Sequence, residues 1–431
     1  MRVCSICKSP AQNEKCPICG SSPIIDLYLE DDRIIELCKN NSKNSGAIYQ
    51  NAKKRGLLRS PNTIELALKR MSLSIEDDTR NATYRTIVNP INPIDVAVLI
   101  ENNHFYSGGR YFGYQVIKAL AEIVPNLVVF TNMEPIFSSD FIDYKFHKTV
   151  YVKDIRKVDV KARIYISFPV YGNITAVNLA KQYDGRCLAF VFDPLPLIAK
   201  HMPSDYKMEE KYFAPMIPSL KEKDVEIVGI SEYVRKSSKN WLNKKKVWKV
   251  EPVVNDRVLA PILKNEIKKE NWICTVSRVV NRKNYTDVLK AFAPISDKYR
   301  LKFITSMPDK IEKEIEAMNL KDRIDFILAP SDTEKFEIMS KCKAMICASK
   351  FEGFGMWLIE ALACGIPCVC YDYPTFREIS KDLVYLSRNL NELTKNLAKA
   401  VKEQPREFDT RYYQPRLIKQ LERVLNGKQE D

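Results

Sequence analysis

Two glutamates stand eight residues apart in Ser349-Lys-Phe-Glu352-Gly353-Phe354-Gly355-Met-Trp-Leu-Ile-Glu360-Ala-Leu-Ala-Cys-Gly365-Ile-Pro367. Gly353 and Gly355 allow close backbone approach just ahead of a helix, whose free N–H groups and positive dipole end suit a diphosphate. Glu352 falls in the loop and Glu360 on the helix. The two carboxylates can therefore address opposite ends of a nucleotide-sugar, each accepting hydrogen bonds from hydroxyls. Gly365 ends the helix and Pro367 prevents its continuation. Two solvated helix carboxylates are the plain alternative, but the glycines, the helix and its terminator coincide here. A second group of residues supplies cations. Val276-Ser277-Arg278-Val-Val-Asn-Arg282-Lys283-Asn284 reads as a strand end followed by basic residues at a helix start. Arg282 reads as an exposed basic cap.

The glutamate stretch resembles the Glu-x7-Glu motif of retaining glycosyltransferases of the GT-B fold, the group 1 family of mannosyl-, glucosyl- and related transferases. The similarity extends over roughly residues 94 to 425. The resemblance implies that Glu352 contacts the transferred sugar and Glu360 holds the ribose of the nucleotide. Arg278 and Lys283 match the family's Arg-x4-Lys pair, which binds the donor diphosphate and stabilises the charge that develops as it leaves. Ser277, Gly353, Phe354 and Gly355 are implied as further donor contacts. Tyr106-Ser107-Gly108-Gly109-Arg110 resembles the family's first glycine loop, where Gly108 and Gly109 approach the diphosphate; a plain strand-to-helix turn is the alternative. Phe192-Asp193-Pro194 falls where many members carry His-Asp beside the sugar, so Asp193 keeps the carboxylate and Phe192 replaces the histidine. His104, His147 and His201 do not fit that position and read as ordinary surface or packing residues. The implied activity is retaining hexosyl transfer (EC 2.4) from a nucleotide-sugar to a saccharide, lipid-linked or protein-linked acceptor. The chain contains no Asp-x-Asp triplet, so no catalytic metal is expected.

Four cysteines suggest a different task. Cys4-x-x-Cys7 and Cys16-x-x-Cys19 each let a tight turn aim two thiolates at one cation, the pattern of a tetrahedral zinc site. A compact ribbon over residues 1–24 with a structural Zn²⁺ is expected; an iron site or free thiols are the alternatives. With four sulfur ligands the coordination sphere is closed, so the metal folds the segment and does not react. The remaining cysteines, Cys38, Cys187, Cys274, Cys342, Cys347, Cys364, Cys368 and Cys370, lie in apolar segments and read as buried small hydrophobes.

The elements that must position these residues follow from periodicity. Asp95–Ile100 reads as a strand, Arg110–Ile123 as a helix and Leu127–Thr131 as a strand, which together form a βαβ unit. Strands follow at 163–168, 186–192, 225–230 and 247–250. The pattern restarts at Trp272–Val276 and alternates helix and strand until Pro367–Tyr371 completes a second sheet. The expected fold is therefore α/β, with two Rossmann-like doubly wound domains facing a cleft, preceded by the zinc ribbon and a helical connector. Residues 25–90 form the connector and linker, 91–258 the acceptor-side domain, 259–410 the donor-side domain, and 411–431 a C-terminal helix that crosses back. Gly108-Gly109 followed only by Gly113 is not a dinucleotide fingerprint, which disfavours a nicotinamide enzyme.

Length and composition set outer bounds. A chain of 431 residues, 45% hydrophobic, can bury more than one core and is no small disulfide-stapled scaffold. Its net charge of +14 is spread along the chain, as befits a surface that meets anionic substrates. The longest apolar runs fall far short of the roughly 18 residues a spanning helix requires, and no secretory leader is visible, so a cytoplasmic protein is expected. Arg235 to Lys249 carries seven cations, two tryptophans and no acid, which suits peripheral contact with an anionic membrane, although a solvated helix end is the favoured alternative. Two other classes compete with a transferase: a catalytically silent nucleotide-sugar binder, and a zinc-ribbon protein that binds nucleic acid. The second is disfavoured because the ribbon lacks interleaved basic and aromatic residues.

Overall fold

Apolar runs bounded by turn residues become parallel strands, and 3.6-periodic segments between them become the crossover helices that parallel pairing requires. The computed structural model describes residues 94–102, 108–132, 149–168, 174–277, 280–305, 311–328, 330–380, 383–404 and 406–428, with the backbone of three short strands before them. The first two, β1 (Arg2–Cys4) and β2 (Ile24–Asp26), pair antiparallel with Cys4 level with Ile24. Otherwise the expected zinc ribbon, including Cys7, Cys16 and Cys19, and the helical connector lie outside the described residues, as does Arg278.

The chain divides into two compact units, Met1–Ala189 and Phe190–Asp431. In the first, β3 (Thr86–Ile87) is followed by β4 (Ile94–Ile100), α1 (Gly108–Ile123), β5 (Leu127–Thr131), β6 (Thr149–Tyr151), β7 (Val158–Asp159), β8 (Ala162–Phe168) and α2 (Thr175–Tyr183). β9 (Arg186–Val191) begins in this unit. β9, β8, β4, β5 and β6 lie side by side in that order, all parallel. The order reverses between β4 and β8, a switch point of the doubly wound kind. Glycine at 113 allows α1 to lie close on the sheet, since a Cβ there would come within 2.9 Å of the Phe168 ring.

The second unit continues through α3 (Leu195–His201), α4 (Pro203–Phe213), α5 (Ile217–Lys221), β10 (Val225–Gly229), α6 (Glu232–Trp241), β11 (Val247–Lys249) and α7 (Asp256–Leu263). β12 (Trp272–Val276), α8 (Tyr285–Phe292), β13 (Arg300–Thr305), α9 (Glu312–Ala317), β14 (Ile324–Leu328), α10 (Asp332–Lys341), β15 (Ala344–Cys347), α11 (Met356–Ala363), β16 (Cys368–Tyr371), α12 (Pro374–Ser380), β17 (Val384–Ser387), α13 (Leu390–Ala400) and α14 (Gln414–Leu425) follow. Six of these strands form a parallel sheet ordered β14-β13-β12-β15-β16-β17. The sequence pattern closes this sheet at β16; β17 extends it by one strand, pairing Val384 with Cys368 through Ser387 with Tyr371. Ile273, Leu301, Phe303, Ile346 and Val369 pack on Leu289, Phe292, Leu393 and Leu397 in one cluster.

The C-terminal helix is fastened by a buried acid. Glu251, 1% exposed, accepts hydrogen bonds from Gln420 Nε2 at 2.9 Å and from the Arg416 guanidinium, while its own N–H donates to Gln420 Oε1 at 2.8 Å. No helix among the described residues is long and apolar enough to cross a membrane.

Candidate functional site

In the six-stranded sheet the chain proceeds outward from β12 to β13 and β14, then returns to build β15, β16 and β17 on the other flank. Ligands of open parallel sheets bind beyond the carboxyl ends of the strands where this reversal occurs. The two strands at the reversal are β12 and β15, and the loops leaving them carry Lys283 and Glu352. The loops are tied together, the Lys350 N–H donating to the Arg282 carbonyl at 2.8 Å. Asn284, at φ 49°, takes the left-handed conformation that an asparagine tolerates and so starts α8 directly after Lys283. Gly355, at φ 97°, does the corresponding job ahead of α11, where a residue with a Cβ would be strained.

Glu352 is 6% exposed, and its Oε1 gathers three donors: the Lys283 ammonium, Ser349 Oγ at 2.8 Å and Trp357 Nε1 at 3.4 Å. Burial alone would raise its pKa. The charges of Lys283 and Arg282, with the hydrogen bonds from Lys283 and Ser349, outweigh that and hold the carboxyl below the ordinary glutamate value. Glu360, 5% exposed, is built the same way. Lys335 Nζ meets its Oε1 at 2.7 Å, and burial raises this carboxyl, with Lys335 opposing and Asp332 adding to the rise. No described residue bonds the Oε2 of either glutamate, and neither oxygen is a sealed, unpartnered buried atom.

The loop that carries Glu352 is held along its backbone as well. Ser231 Oγ, the N-cap of α6, donates to the Gly353 carbonyl at 2.7 Å, and Thr375 Oγ1 donates to the Glu352 carbonyl at 3.1 Å. Glu378 in turn accepts the Glu232 and Tyr233 N–H groups at the start of α6, at 2.6 and 3.1 Å. A Cβ on Gly353 would collide with the Phe192 carbonyl oxygen and approach Asp193 Oδ1 to 2.9 Å, so glycine is required by contact rather than by φ. Asp193 therefore lies against the loop, and Arg282 NH1 reaches its Oδ2 at 3.4 Å. Arg282 is thus no solvated cap: its side chain is 24% exposed and its charge acts on both Asp193 and Glu352. Behind the loop His201 stacks on Phe351 at 6.1 Å, meets Tyr373 edge-on at 4.8 Å and bonds the Tyr233 hydroxyl at 2.9 Å, the packing role expected of it.

The structure thus brings together Lys283, Glu352, Gly353, Gly355 and Asp193, with Glu360 just past the first turn of α11. Ser277 anchors the end of β12 through its N–H to the Ile304 carbonyl at 3.0 Å. Phe354 is 2% exposed and packs edge-on against Tyr412, which limits it to a backbone contribution. Gly108 and Gly109 open α1 in the other compact unit. The basic stretch from Arg235 to Lys249 keeps fewer free groups than its composition suggests. Trp248 is 7% exposed with its Nε1 on Glu226 at 2.7 Å, Trp241 packs edge-on against Phe213, Arg235 pairs with Glu232, and Lys244 bonds the Glu222 and Val225 carbonyls. Lys236, Lys239 and Lys245 remain exposed. Sequence reading missed Lys335, Ser349, Trp357, Ser231 and Thr375. Ser349 and Trp357 stand within five residues of Glu352 and were legible as neighbours, whereas nothing local links Lys335 to Glu360 or Ser231 to Gly353.

Comparison with known proteins bears on this site directly. Residues 262–415 match the family model of glycosyl transferases group 1. That range contains Lys283, Lys335, Glu352 and Glu360, so the chain carries a group 1 glycosyltransferase domain. Over 107 residues it is 31% identical to an N-acetylgalactosamine-N,N'-diacetylbacillosaminyl-diphospho-undecaprenol 4-alpha-N-acetylgalactosaminyltransferase of Campylobacter jejuni, covering 24% of this chain and 29% of that protein. Over 115 residues it is 30% identical to the O-antigen chain mannosyltransferase RfbU of Salmonella typhimurium, covering 26% and 33%. The chain thus spans about a third or less of the curated relatives it matches. Among solved structures, a sucrose-phosphate synthase from Thermosynechococcus elongatus superposes with a TM-score of 0.57 at 15% identity, over 77% of this chain and 95% of that one. Anabaena HepE in complex with UDP and glucose does so with a TM-score of 0.55 at 11% identity, over the same shares. These likenesses, with the two parallel α/β sheets, are consistent with the GT-B fold.

The contact at Gly353 makes a measurable claim about this group 1 domain. Gly353→Ala forces overpacking against Phe192 and is expected to cost about 1–3 kcal/mol, seen as a melting temperature lowered by several degrees. Gly108→Ala, whose added Cβ meets nothing within 4 Å, serves as the control and should melt no lower than the parent.

Proposed function

We propose that the chain is a glycosyltransferase that moves a hexose from a nucleotide-sugar to a saccharide, lipid-linked or protein-linked acceptor with retention of anomeric configuration. The observation that carries this reading is the pair of buried glutamates, each held through Oε1 by a lysine and each with an Oε2 that no described residue bonds. A pair of anchored carboxylates eight residues apart fits a ligand with hydroxyls at both ends, as a sugar and a ribose are. The donor side is taken as residues 259–410 and the acceptor side as 91–258, with Gly108 and Gly109 as further donor contacts.

Glu352 would bind hydroxyls of the transferred sugar through its second oxygen. Lys283 uses one of its three N–H donors on Glu352, leaving the others for the diphosphate, and Arg278 would join it there. Two cations and the amino end of α11 would offset the charge that grows on the leaving phosphate, so the scheme calls for no catalytic metal. The bond from the anomeric carbon to the phosphate oxygen breaks while the acceptor oxygen bonds to the same face, and the acceptor proton passes to that departing oxygen. Asp193, which meets Arg282, would bond the sugar. Phe192 brings only a carbonyl and a buried ring to this position. That observation favours a second reading, a nucleotide-sugar binder without turnover.

The relatives act on a diphospho-undecaprenol-linked saccharide and on O-antigen chains, by their names, which supports a saccharide or lipid-linked acceptor. Peripheral membrane contact through α6 and its neighbourhood would rest on charge alone, since both tryptophans are packed. A structural Zn²⁺ within residues 1–24 is supported by the cysteine spacing and by the β1–β2 pairing, which closes the segment on itself. A cytoplasmic location accords with these substrates.

Three outcomes are expected. Glu352→Ala and Lys283→Ala, in protein that keeps its parent circular dichroism, should each lower transfer by at least about 100-fold, with the parent's product keeping the donor's anomeric configuration by NMR; full activity in both variants, or an inverted product, refutes the assignment, and a parent that binds donors yet neither transfers nor hydrolyses them establishes the silent reading. Metal analysis should find about one zinc per chain, lost in a Cys16→Ser, Cys19→Ser double variant; a parent free of zinc ends that proposal. Sedimentation should favour anionic over neutral vesicles and weaken when Lys236, Lys239 and Lys245 become glutamine, and equal binding to both vesicle types removes the membrane contact.

A further inference from the structure

Glu360 has a cation of its own that no motif announces. Lys335 Nζ, on α10, lies 2.7 Å from Glu360 Oε1 and 2.7 Å from Asp332 Oδ1, and Asn255 Nδ2 bonds the other Asp332 oxygen at 2.9 Å. The four side chains belong to residues exposed by 6%, 5%, 3% and 5% for Lys335, Glu360, Asp332 and Asn255. The cluster holds two acids and one cation, an imbalance that is costly to bury. Both oxygens of Asp332 are occupied. The second oxygen of Glu360 is the one carboxylate position in the cluster that no described residue bonds, and this arrangement repeats what Lys283 does for Glu352.

We propose that Lys335 is a positioning residue for the nucleotide, holding Glu360 by one oxygen and keeping it ionised so that the other accepts the ribose hydroxyls of the donor. The inference rests on the donor reading given above. A hydroxyl bonds a carboxylate about twice as strongly as it bonds a neutral acceptor, so the charge on Glu360 sets how well the ribose is held. Burial and Asp332 both favour its protonated form, and Lys335 is the group that opposes them. Cys364, at the end of the same helix, faces it as a thiol whose pKa is raised and so adds no charge. Removing Lys335 therefore lifts the Glu360 pKa further. Ribose binding should then be weakest at low pH and recover as pH rises through the new value.

The test uses the full chain and isothermal titration with UDP, GDP and ADP, alongside their 2′,3′-dideoxy forms, from pH 6 to 9. Lys335→Met, which keeps an unbranched apolar side chain but no charge, should weaken the preferred diphosphate by at least about tenfold at pH 7 and less at pH 9. It should also narrow the preference for ribose over dideoxyribose. Lys335→Arg should restore most of both, and in a Glu360→Gln background Lys335→Met should change affinity less than about twofold. If Lys335→Met does not fold, Lys335→Gln, which keeps a hydrogen bond but no charge, should show the same pH-dependent loss. Parent protein that binds a nucleotide, with either variant leaving affinity and ribose preference unchanged, overturns the inference alone, as does an equal loss at every pH. Parent protein that binds none of the diphosphates overturns the donor reading and the inference with it.

Discussion

A carboxylate buried at the end of a parallel strand is the constraint around which the second unit is organised. Glu352 is 6% exposed, and an ion in such a place is retained only when a partner charge and hydrogen bonds replace the water it has lost. The partner, Lys283, comes from a loop 69 residues earlier, so the carboxylate can be buried only when β12 and β15 are neighbours. The doubly wound order provides that: it places the first strand of the sheet beside the fourth, and it leaves their loops at one crevice. Topology and electrostatics therefore specify each other. A sheet built in sequential order would separate the two charges by two strands and strand the glutamate.

Around that pair the remaining contacts act on backbone rather than on side chain. Ser231, Thr375 and the Phe192 carbonyl all meet the loop at Glu352 and Gly353, and Glu378 fixes the helix that carries Ser231. Backbone anchoring limits how far Oε2 of Glu352 can wander, and a site held to within a fraction of an ångström is what orientation-dependent chemistry requires. Lys283 meets this oxygen's twin, so the lysine orients the glutamate as well as offsetting its charge. Contacts that hold the fold are therefore interleaved with the expected site residues at this loop, and Arg282 bridges to one of them, Asp193.

Much of this was legible in the sequence, for reasons that differ by element. Trp272–Val276, Tyr285–Phe292 and Met356–Ala363 were recovered residue for residue because each is an apolar run or an amphipathic turn bounded by polar or glycine punctuation. β17 escaped because it is an edge strand: three of its four residues are only half-buried, and its pattern is too short to alternate. Glu352, Gly353 and Gly355 were legible because their contributions are local. Lys335 was not, since its contact with Glu360 spans 25 residues and depends on how α10 and α11 pack. Trp241 and Trp248 mislead for the opposite reason. Flanking lysines give them the composition of an interfacial anchor, yet one packs on Phe213 and the other bonds Glu226, and composition alone does not record which face a ring takes.

The two lysine–glutamate pairs are alike in geometry and opposite in electrostatic outcome, and that difference follows from their company. Glu352 has two cations acting on it and no acid among its leading influences, so its carboxyl is held below the ordinary value. Glu360 shares its one lysine with Asp332, so burial prevails and its carboxyl is raised. On the proposed donor reading, a carboxylate beside a departing diphosphate must stay charged while negative charge grows nearby, which the surplus of cations at Glu352 provides. A carboxylate that meets only neutral hydroxyls must also keep its charge but has no growing anion beside it, and on that reading a single shared lysine suffices. On the donor reading proposed above, the division of cations along the segment from Glu352 to Glu360 would match the division of charge along a nucleotide-sugar, with the anionic diphosphate near the first glutamate and the neutral ribose near the second.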